Sequence, residues 1–163
     1  MEKLAKFDID HKKLNAGLYV ENRTAAGEYD VVTTFDVRLK RPYDEEQMTP
    51  QSMHTIEHLA ESFLRSDELW GKKIIHFGCR GSRTGFSLVV AGALDVTDIL
   101  PLIIRTFDFV SEYEGEIPGA KDKECSASFD HDLEEAKNDA AMYYNVLIAA
   151  RKTNFNYPEK KVK

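Results

Sequence analysis

The chain has 163 residues, 42% of them hydrophobic, and a formal net charge of -6, so we expect one domain over residues 1-163. The negative charge and the scattered lysines and arginines argue against a nucleic-acid-binding surface. Because no apolar run is long enough to cross a bilayer and the N-terminus lacks the apolar region of a secretory signal, we expect a cytoplasmic protein without a membrane partner.

The first predicted element is a strand over residues 31-39, where β-branched residues are frequent and apolar residues alternate with polar ones. Arg38 lies on the polar face of this strand. Further along the chain, Thr49-Pro50 is typical of a capping residue followed by proline at the first helical position. We therefore predict a helix that continues to about Arg65.

This helix contains the pentad His54-Thr55-Ile56-Glu57-His58. Residues four apart share a helix face, so the two imidazoles can bind one metal ion. The order H-x-x-E-H is the inverse of the H-E-x-x-H zinc signature, and it places Glu57 beside the ion as a candidate proton carrier. Two surface or core histidines on one helix face would give the same pattern, so the pentad alone leaves both interpretations open.

Two further strands are predicted over residues 73-77 and 86-92, joined by a loop with three glycines. Glycine permits unusual backbone dihedrals and close backbone approach, which suits a loop that forms part of a site. His76, beside this loop, is either a core histidine or a site residue.

Two more helices are predicted, one from Asp95 or Thr97 to about Tyr113 and one over about residues 132-152, both with apolar residues at helical spacing. The tail from Tyr157 is expected to be frayed. Strands and helices that mix without strict βαβ alternation predict an α+β fold, with helices packed on a mostly antiparallel sheet.

The two cysteines, Cys79 and Cys125, are better candidates for metal binding or catalysis than for a disulfide. Zinc and ferrous sites commonly use a third protein ligand, and Cys125 can complete a set of two histidines and one cysteine. His131 is another candidate ligand, although a histidine at a helix entry is more often exposed or capping.

Several segments occur in an order and spacing that match one family from about residue 7 to residue 137. They are Phe35-Asp36-Val37-Arg38, the pentad continued by Leu59-Ala60 and Arg65-Ser66, Arg83-Thr84-Gly85-Phe86, Ile117-Pro118, Lys123-Glu124-Cys125 and His131-Asp132-Leu133-Glu134. Together these segments resemble the S-ribosylhomocysteine lyase family, LuxS. The combination is much more specific than any one motif.

The resemblance implies an α+β homodimer with two active sites at the interface. Each site would hold one divalent ion, iron(II) natively and often zinc on isolation, bound by His54, His58 and Cys125. The implied reaction cleaves the thioether of S-ribosylhomocysteine to homocysteine and 4,5-dihydroxy-2,3-pentanedione, the precursor of the quorum-sensing signal autoinducer-2.

The resemblance also implies roles for individual side chains near the ion. Glu57 matches the carboxylate base of the family. Arg38, Arg65 and His11 match positions that line the substrate site, and His11 would reach across from the partner subunit.

The glycine loop departs from the family pattern D-I-S-P-M-G-C-[RQ]-T-G-[FY]-Y, because residues 76-87 read H-F-G-C-R-G-S-R-T-G-F-S. The acid/base cysteine of the family becomes Ser82, whose alcohol titrates far above neutral pH. The aspartate that would meet the homocysteine amino group becomes His76, and the usual proline becomes Cys79.

Three interpretations of this loop remain open. Cys79, helped by His76 to form a thiolate, replaces the missing thiol as a catalytic group, so that an active lyase is retained. Alternatively, the chain acts on a related sugar thioether or another aldose, since His76 and Arg80 favour a more anionic ligand. In the third, a metal-bound protein with weak activity binds a sugar ligand. The lyase is the leading prediction; the small size and the cysteine ligand argue against an inverzincin-type peptidase.

Overall fold

The computed structural model describes residues 5-28 and 30-159. Within them, four strands form one sheet with the order β1-β2-β4-β3, in which all neighbouring strands are antiparallel. The elements are β1 Gly17–Ala25, β2 Val31–Arg38, α1 Pro50–Ser66, β3 Ile74–Cys79, β4 Gly85–Ala91, α2 Val96–Ser111 and α3 Leu133–Ile148. The predicted α+β fold with an antiparallel sheet is confirmed.

Helix α1 begins where the sequence predicts. The Thr49 side chain accepts a hydrogen bond from the amide of Ser52 at 3.2 Å, and Pro50 is the first helical residue. The apolar face of α1 contributes Ile56 and Leu59 to the core, and the helix packs against α2, α3 and β3. This packing fixes the orientation of the opposite face, which carries the histidine pair.

Strand β1 is absent from the sequence-based prediction. Its register against β2 shifts between Val20 and Asn22, and three consecutive polar residues, 21-23, interrupt any alternation of apolar and polar side chains. A bulge of this kind removes the period of two by which a strand is found in a sequence.

Strand β3 continues two residues beyond its predicted end. Gly78 pairs with Ser87 and Cys79 pairs with Phe86, and the register shifts between Ile74 and His76. Cys79 therefore belongs to the sheet, and the loop that joins the two strands begins at Arg80.

The expectation of a frayed tail was wrong for residues 157-159, while residues 160-163 lie outside the described part. The Tyr157 ring stacks on Tyr19, with centroids 4.5 Å apart and planes inclined by 9°. Glu159 forms an antiparallel bridge with Ile9. Tyr157 is thus packed on the sheet, on the face that carries Asp36 of β2, whose carboxylate accepts a hydrogen bond from the Tyr157 hydroxyl.

Among the described residues, none of the helices combines the length and the apolar character needed to span a bilayer.

Candidate metal centre and active site

Four side chains that can donate to a metal converge beside α1. His54 and His58 come from successive turns of that helix, and Cys125 and His131 come from the segment that joins α2 to α3. Their ligating atoms all lie within 4.8 Å of one another. Cys125 Sγ is 3.4 Å from His54 Nε2 and 3.9 Å from His58 Nε2.

Backbone carbonyls orient the two helical imidazoles. Nδ1 of His54 lies 2.9 Å from the carbonyl oxygen of Asp130, and Nδ1 of His58 lies 2.7 Å from that of Pro118. A carbonyl can only accept, so each Nδ1 carries the proton and each Nε2 presents a lone pair to the cluster. Gly119 follows with a φ of 67°, and a Cβ there would lie 3.4 Å from His58 Nδ1.

This donor set fits a divalent ion. From the usual zinc–sulfur and zinc–nitrogen lengths, two ligand atoms of a tetrahedral site lie about 3.5 Å apart, and the two sulfur–nitrogen distances bracket that value. Imidazole and thiolate ligands suit zinc and iron. The predicted set of His54, His58 and Cys125 is therefore brought together in one place.

His131 joins this cluster instead of capping a helix, since Asp132 is the N-cap of α3. Its ring stacks on His54, with centroids 4.1 Å apart and planes inclined by 18°. Burial, together with the neighbouring His54 and His58, lowers the pKa of His131. This shift favours the neutral imidazole of His131.

Glu57 contacts the β3 end of the site. Its Oε2 accepts a hydrogen bond from Cys79 Sγ at 3.2 Å. A Cβ on Gly78 would lie 2.5 Å from His76 Nε2 and 3.3 Å from Glu57 Oε1. Glycine at this position therefore allows the imidazole, the carboxylate and the thiol to share one small area.

The Cys79 thiol remains open to solvent on one side. Loss of solvation by surrounding groups, and the hydrogen bond and negative charge of Glu57, raise the pKa of the thiol to about 12. Cys79 is thus a protonated thiol near pH 7 in this arrangement, contrary to the thiolate that His76 was expected to promote.

Ser82, which stands where the family pattern has a cysteine, has other neighbours than Cys79 and lines a cavity of about 530 Å³. His11, Arg38 and Ser82 line this cavity within one chain. Ser82 Oγ lies 2.9 Å from the Thr84 hydroxyl, which also accepts a hydrogen bond from Arg38 Nη1. Three predicted site residues thus share one cavity, and Ser82 and Cys79 have different neighbours.

A charged network centred on the buried Asp36 lines the same cavity. Its Oδ2 accepts hydrogen bonds from Arg38 at 2.7 Å and from the Tyr157 hydroxyl at 2.8 Å. Arg80 forms ion pairs with Glu21 at 2.5 Å and with Asp36 at 3.3 Å. Two carboxylates, of Glu21 and Asp36, balance the guanidinium groups of Arg38 and Arg80, so these four side chains together carry no net positive charge that would favour a more anionic ligand.

Arg65 does not reach the cavity. Its guanidinium donates to Glu61 and to the carbonyl oxygens of Ile74 and Ile75. These contacts join α1 to the start of β3, so the Arg65 side chain has a structural role.

A family model described as S-Ribosylhomocysteinase (LuxS) matches residues 4-154. The chain belongs to the LuxS family. An S-ribosylhomocysteine lyase of Phocaeicola vulgatus is 42% identical over 161 residues, which cover 98% of this chain and 99% of the relative. The enzymes of the same name from Borreliella burgdorferi and Desulfotalea psychrophila are 39% and 42% identical, over 97% of this chain in each case and 100% and 99% of the relatives.

The sequence alone did not predict three residues that line the cavity of this LuxS-family chain. Asp36 lay within a recognised segment, but its burial beside two arginines depends on contacts between distant parts of the chain. Glu21 lies in the strand that was missed, and Tyr157 lies in the tail that was expected to be frayed. None of these three carries a local signal of function.

Proposed function

We propose that this chain cleaves the thioether of S-ribosylhomocysteine, releasing homocysteine and 4,5-dihydroxy-2,3-pentanedione, the precursor of autoinducer-2. The family model and the relatives, which span nearly the whole chain, support a carbon–sulfur lyase. The contact between Glu57 and the Cys79 thiol carries the proposal, because it pairs a proton acceptor with a proton donor, and Glu57 directly precedes His58 of the histidine–cysteine cluster.

His54, His58 and Cys125 would hold one divalent ion per chain. When bound, such an ion polarises sugar oxygens and so stabilises the charge that develops during the isomerisations. Glu57 is adjacent in sequence to His58 and is used as a base, since its carboxylate already accepts a hydrogen bond.

The reaction needs repeated proton transfers. Two isomerisations move the carbonyl group from C1 of the ribose to C3, and each removes a proton from one carbon and returns a proton to its neighbour. Glu57 accepts the proton from carbon and the Cys79 thiol donates one. Return of the proton from Glu57 to the Cys79 thiolate across their contact restores both groups for the next step. In the final elimination Glu57 removes the C4 proton, the C4–C5 double bond forms, and the C5–S bond breaks with its electron pair leaving on sulfur. Protonation of that sulfur gives homocysteine, and the enol that remains gains a proton at C5 and loses the proton of its C4 hydroxyl to give 4,5-dihydroxy-2,3-pentanedione.

Ser82 contributes to binding in this proposal. Its hydroxyl, with His11 and Arg38, lines the cavity that would receive hydroxyl groups of the sugar. His76, close to Glu57, would meet the homocysteine part of the substrate. Arg65 stays in its structural contacts.

We also propose a cytoplasmic homodimer that uses iron(II) in the cell and accepts zinc. Membership of the family supports the dimer with active sites at its interface, and the donor set suits either ion. Cys79 and Cys125 are both free thiols, which fits a reducing compartment.

The test is release of homocysteine from S-ribosylhomocysteine by the metal-loaded protein, followed with a thiol reagent. We expect Cys79→Ala to reduce kcat by roughly two to four orders of magnitude, because a general acid is lost. Ser82→Ala should act mainly on KM.

No release by the unmodified protein would exclude the lyase. Release that Cys79→Ala leaves unchanged would exclude Cys79 as the acid. A large gain on Ser82→Cys would show that the serine limits the reaction.

A further inference from the structure

His131 presents an unusual nitrogen to the metal centre. Among the described residues, its Nε2 is one of four buried side-chain atoms without a hydrogen-bond partner. Its available ligand atom lies within 4.8 Å of those of His54, His58 and Cys125. A buried polar atom without a partner is costly, so a binding role for this nitrogen would account for its position.

The other ring nitrogen determines what Nε2 can do. Nδ1 of His131 lies 3.1 Å from the hydroxyl of Thr55, a fully buried residue, and that hydroxyl also accepts a hydrogen bond from the amide of Asp132 at 3.0 Å. In the described part of the chain these are the hydrogen bonds of the Thr55 hydroxyl. The hydroxyl proton of Thr55 has an acceptor only if Thr55 donates it to His131 Nδ1. A neutral imidazole that accepts a hydrogen bond at Nδ1 carries its own proton on Nε2.

We propose that Thr55 holds His131 as the Nε2–H tautomer, so that His131 donates a hydrogen bond to a sugar oxygen entering the metal centre and does not bind the ion as a fourth ligand. A protonated Nε2 has no lone pair for a metal. The site then keeps one coordination position for the substrate, as catalytic sites with three protein ligands do.

The packing around His131 fixes the direction of this donor. The ring is stacked on His54 and meets the edge of His58 at a centroid distance of 4.9 Å. A donor that is already oriented stabilises negative charge on an oxygen without reorganisation, which is the property of an oxyanion hole. The identity of that oxygen as part of the sugar rests on the proposed function; the tautomer does not.

The tautomer is measured directly by two-bond ¹H–¹⁵N correlation spectra of the zinc-loaded, ¹⁵N-histidine-labelled protein, with His131 assigned by difference from His131→Gln. We expect a protonated Nε2 and an unprotonated Nδ1 in His131. Nitrogen shifts of a metal-bound Nε2 in His131 would overturn the proposal.

Metal affinity gives a second readout that is independent of activity. In competition with a chromophoric chelator, the zinc affinity of His131→Ala should be within about threefold of that of the unmodified protein. Cys125→Ala should lose most of the zinc affinity. A similar loss in both variants would make His131 a ligand and refute the donor role.

Turnover tests the catalytic part. Removal of one oxyanion donor typically costs about 10²–10³-fold in kcat, and we expect a loss of this size for His131→Ala with partial recovery in His131→Gln. Thr55→Val, which cannot donate to Nδ1, should also lose activity and its Nε2–H signal, while Thr55→Ser keeps both. Full activity of His131→Ala would refute this role, and an inactive unmodified protein would refute the proposed function while the spectra still decide the tautomer.

Discussion

Cys79 and Ser82 are three residues apart and have different chemical surroundings. The Cys79 thiol lies against Glu57, the residue before His58, whereas the Ser82 hydroxyl hydrogen-bonds with Thr84 on the cavity that Arg38 also lines. The thiol therefore has a proton acceptor at contact distance, and the hydroxyl has a polar partner suited to binding. This separation favours Cys79 as the group that exchanges protons in the proposed reaction.

The raised pKa of Cys79 predicts slow alkylation. Iodoacetamide reacts with the thiolate, so at pH 8–9 the metal-free protein should react slowly at this residue, as measured by peptide mass spectrometry. Glu57→Gln removes the neighbouring charge, lowers the pKa of the thiol and should speed the reaction by about tenfold or more, since each pKa unit changes the thiolate fraction tenfold. Glu61→Gln, on the same helix, is the matched control and should leave the rate unchanged.

Equal alkylation rates in the unmodified protein and in Glu57→Gln would contradict the contact between Glu57 and Cys79.

The raised pKa of Cys79 also makes the free energy of unfolding depend on pH. The unfolded chain loses the Cys79 proton near pH 9, whereas the folded chain keeps it until near the raised pKa of about 12, so this contribution to stability falls as the pH rises above about 9.

At the scale of elements, the sequence predicted the helices because their signals are local. Thr49 and Pro50 begin α1, and the pentad then lies on one helix by spacing alone. The direction of Cys79 was not predictable, because it depends on the bulge between Ile74 and His76, which shifts the register of β3. Local patterns predicted the histidine pair, the family resemblance added Cys125, and long-range pairing positioned the loop after β3.

Gly119, in the segment before α3, is expected to support the position of His58 in the metal centre. Its φ of 67° disfavours a side chain, and an added Cβ would meet His58 Nδ1. Gly119→Ala should lower the free energy of unfolding by about 1 kcal/mol or more and weaken zinc binding, because backbone strain at this position shifts the adjacent Pro118 carbonyl that accepts from His58 Nδ1. Gly27→Ala is the matched control: its φ is 94° and its Cβ would meet nothing within 4 Å.

Urea unfolding and chelator competition separate the two effects. The strain should appear in both glycine variants, and the loss of zinc affinity should appear in Gly119→Ala alone. Weakened metal binding in both variants would show that strain anywhere in the fold, and not a shift of the carbonyl that contacts His58, is responsible.

At the scale of the whole molecule, the metal centre joins distant parts of the chain. Two ligands come from α1 and the third follows α2, so a bound ion would link segments that are 67 residues or more apart in sequence. Because the unfolded chain does not present these groups together, metal binding should stabilise the folded state.

Metal removal therefore predicts a lower melting temperature. With free zinc at about one hundred times its Kd, the expected gain is about 2.7 kcal/mol, measured by calorimetry with and without the ion. Cys125→Ala should lose most of the metal-dependent shift, and Cys79→Ala should keep it. A shift that survives Cys125→Ala at full size would contradict the assignment of this ligand.

The ion pair between Glu21 and Arg80 has an evolutionary consequence. Both side chains are largely buried, with 10% and 15% exposure, and a buried charge that loses its partner costs about 3–5 kcal/mol. Without Glu21, Arg80 would keep Asp36 as an ion-pair partner, whereas without Arg80 the largely buried Glu21 carboxylate would lose the partner with which it forms its ion pair. We therefore expect substitutions at positions 21 and 80 to be coupled, because a chain that replaces Arg80 would be more stable if Glu21 were replaced as well.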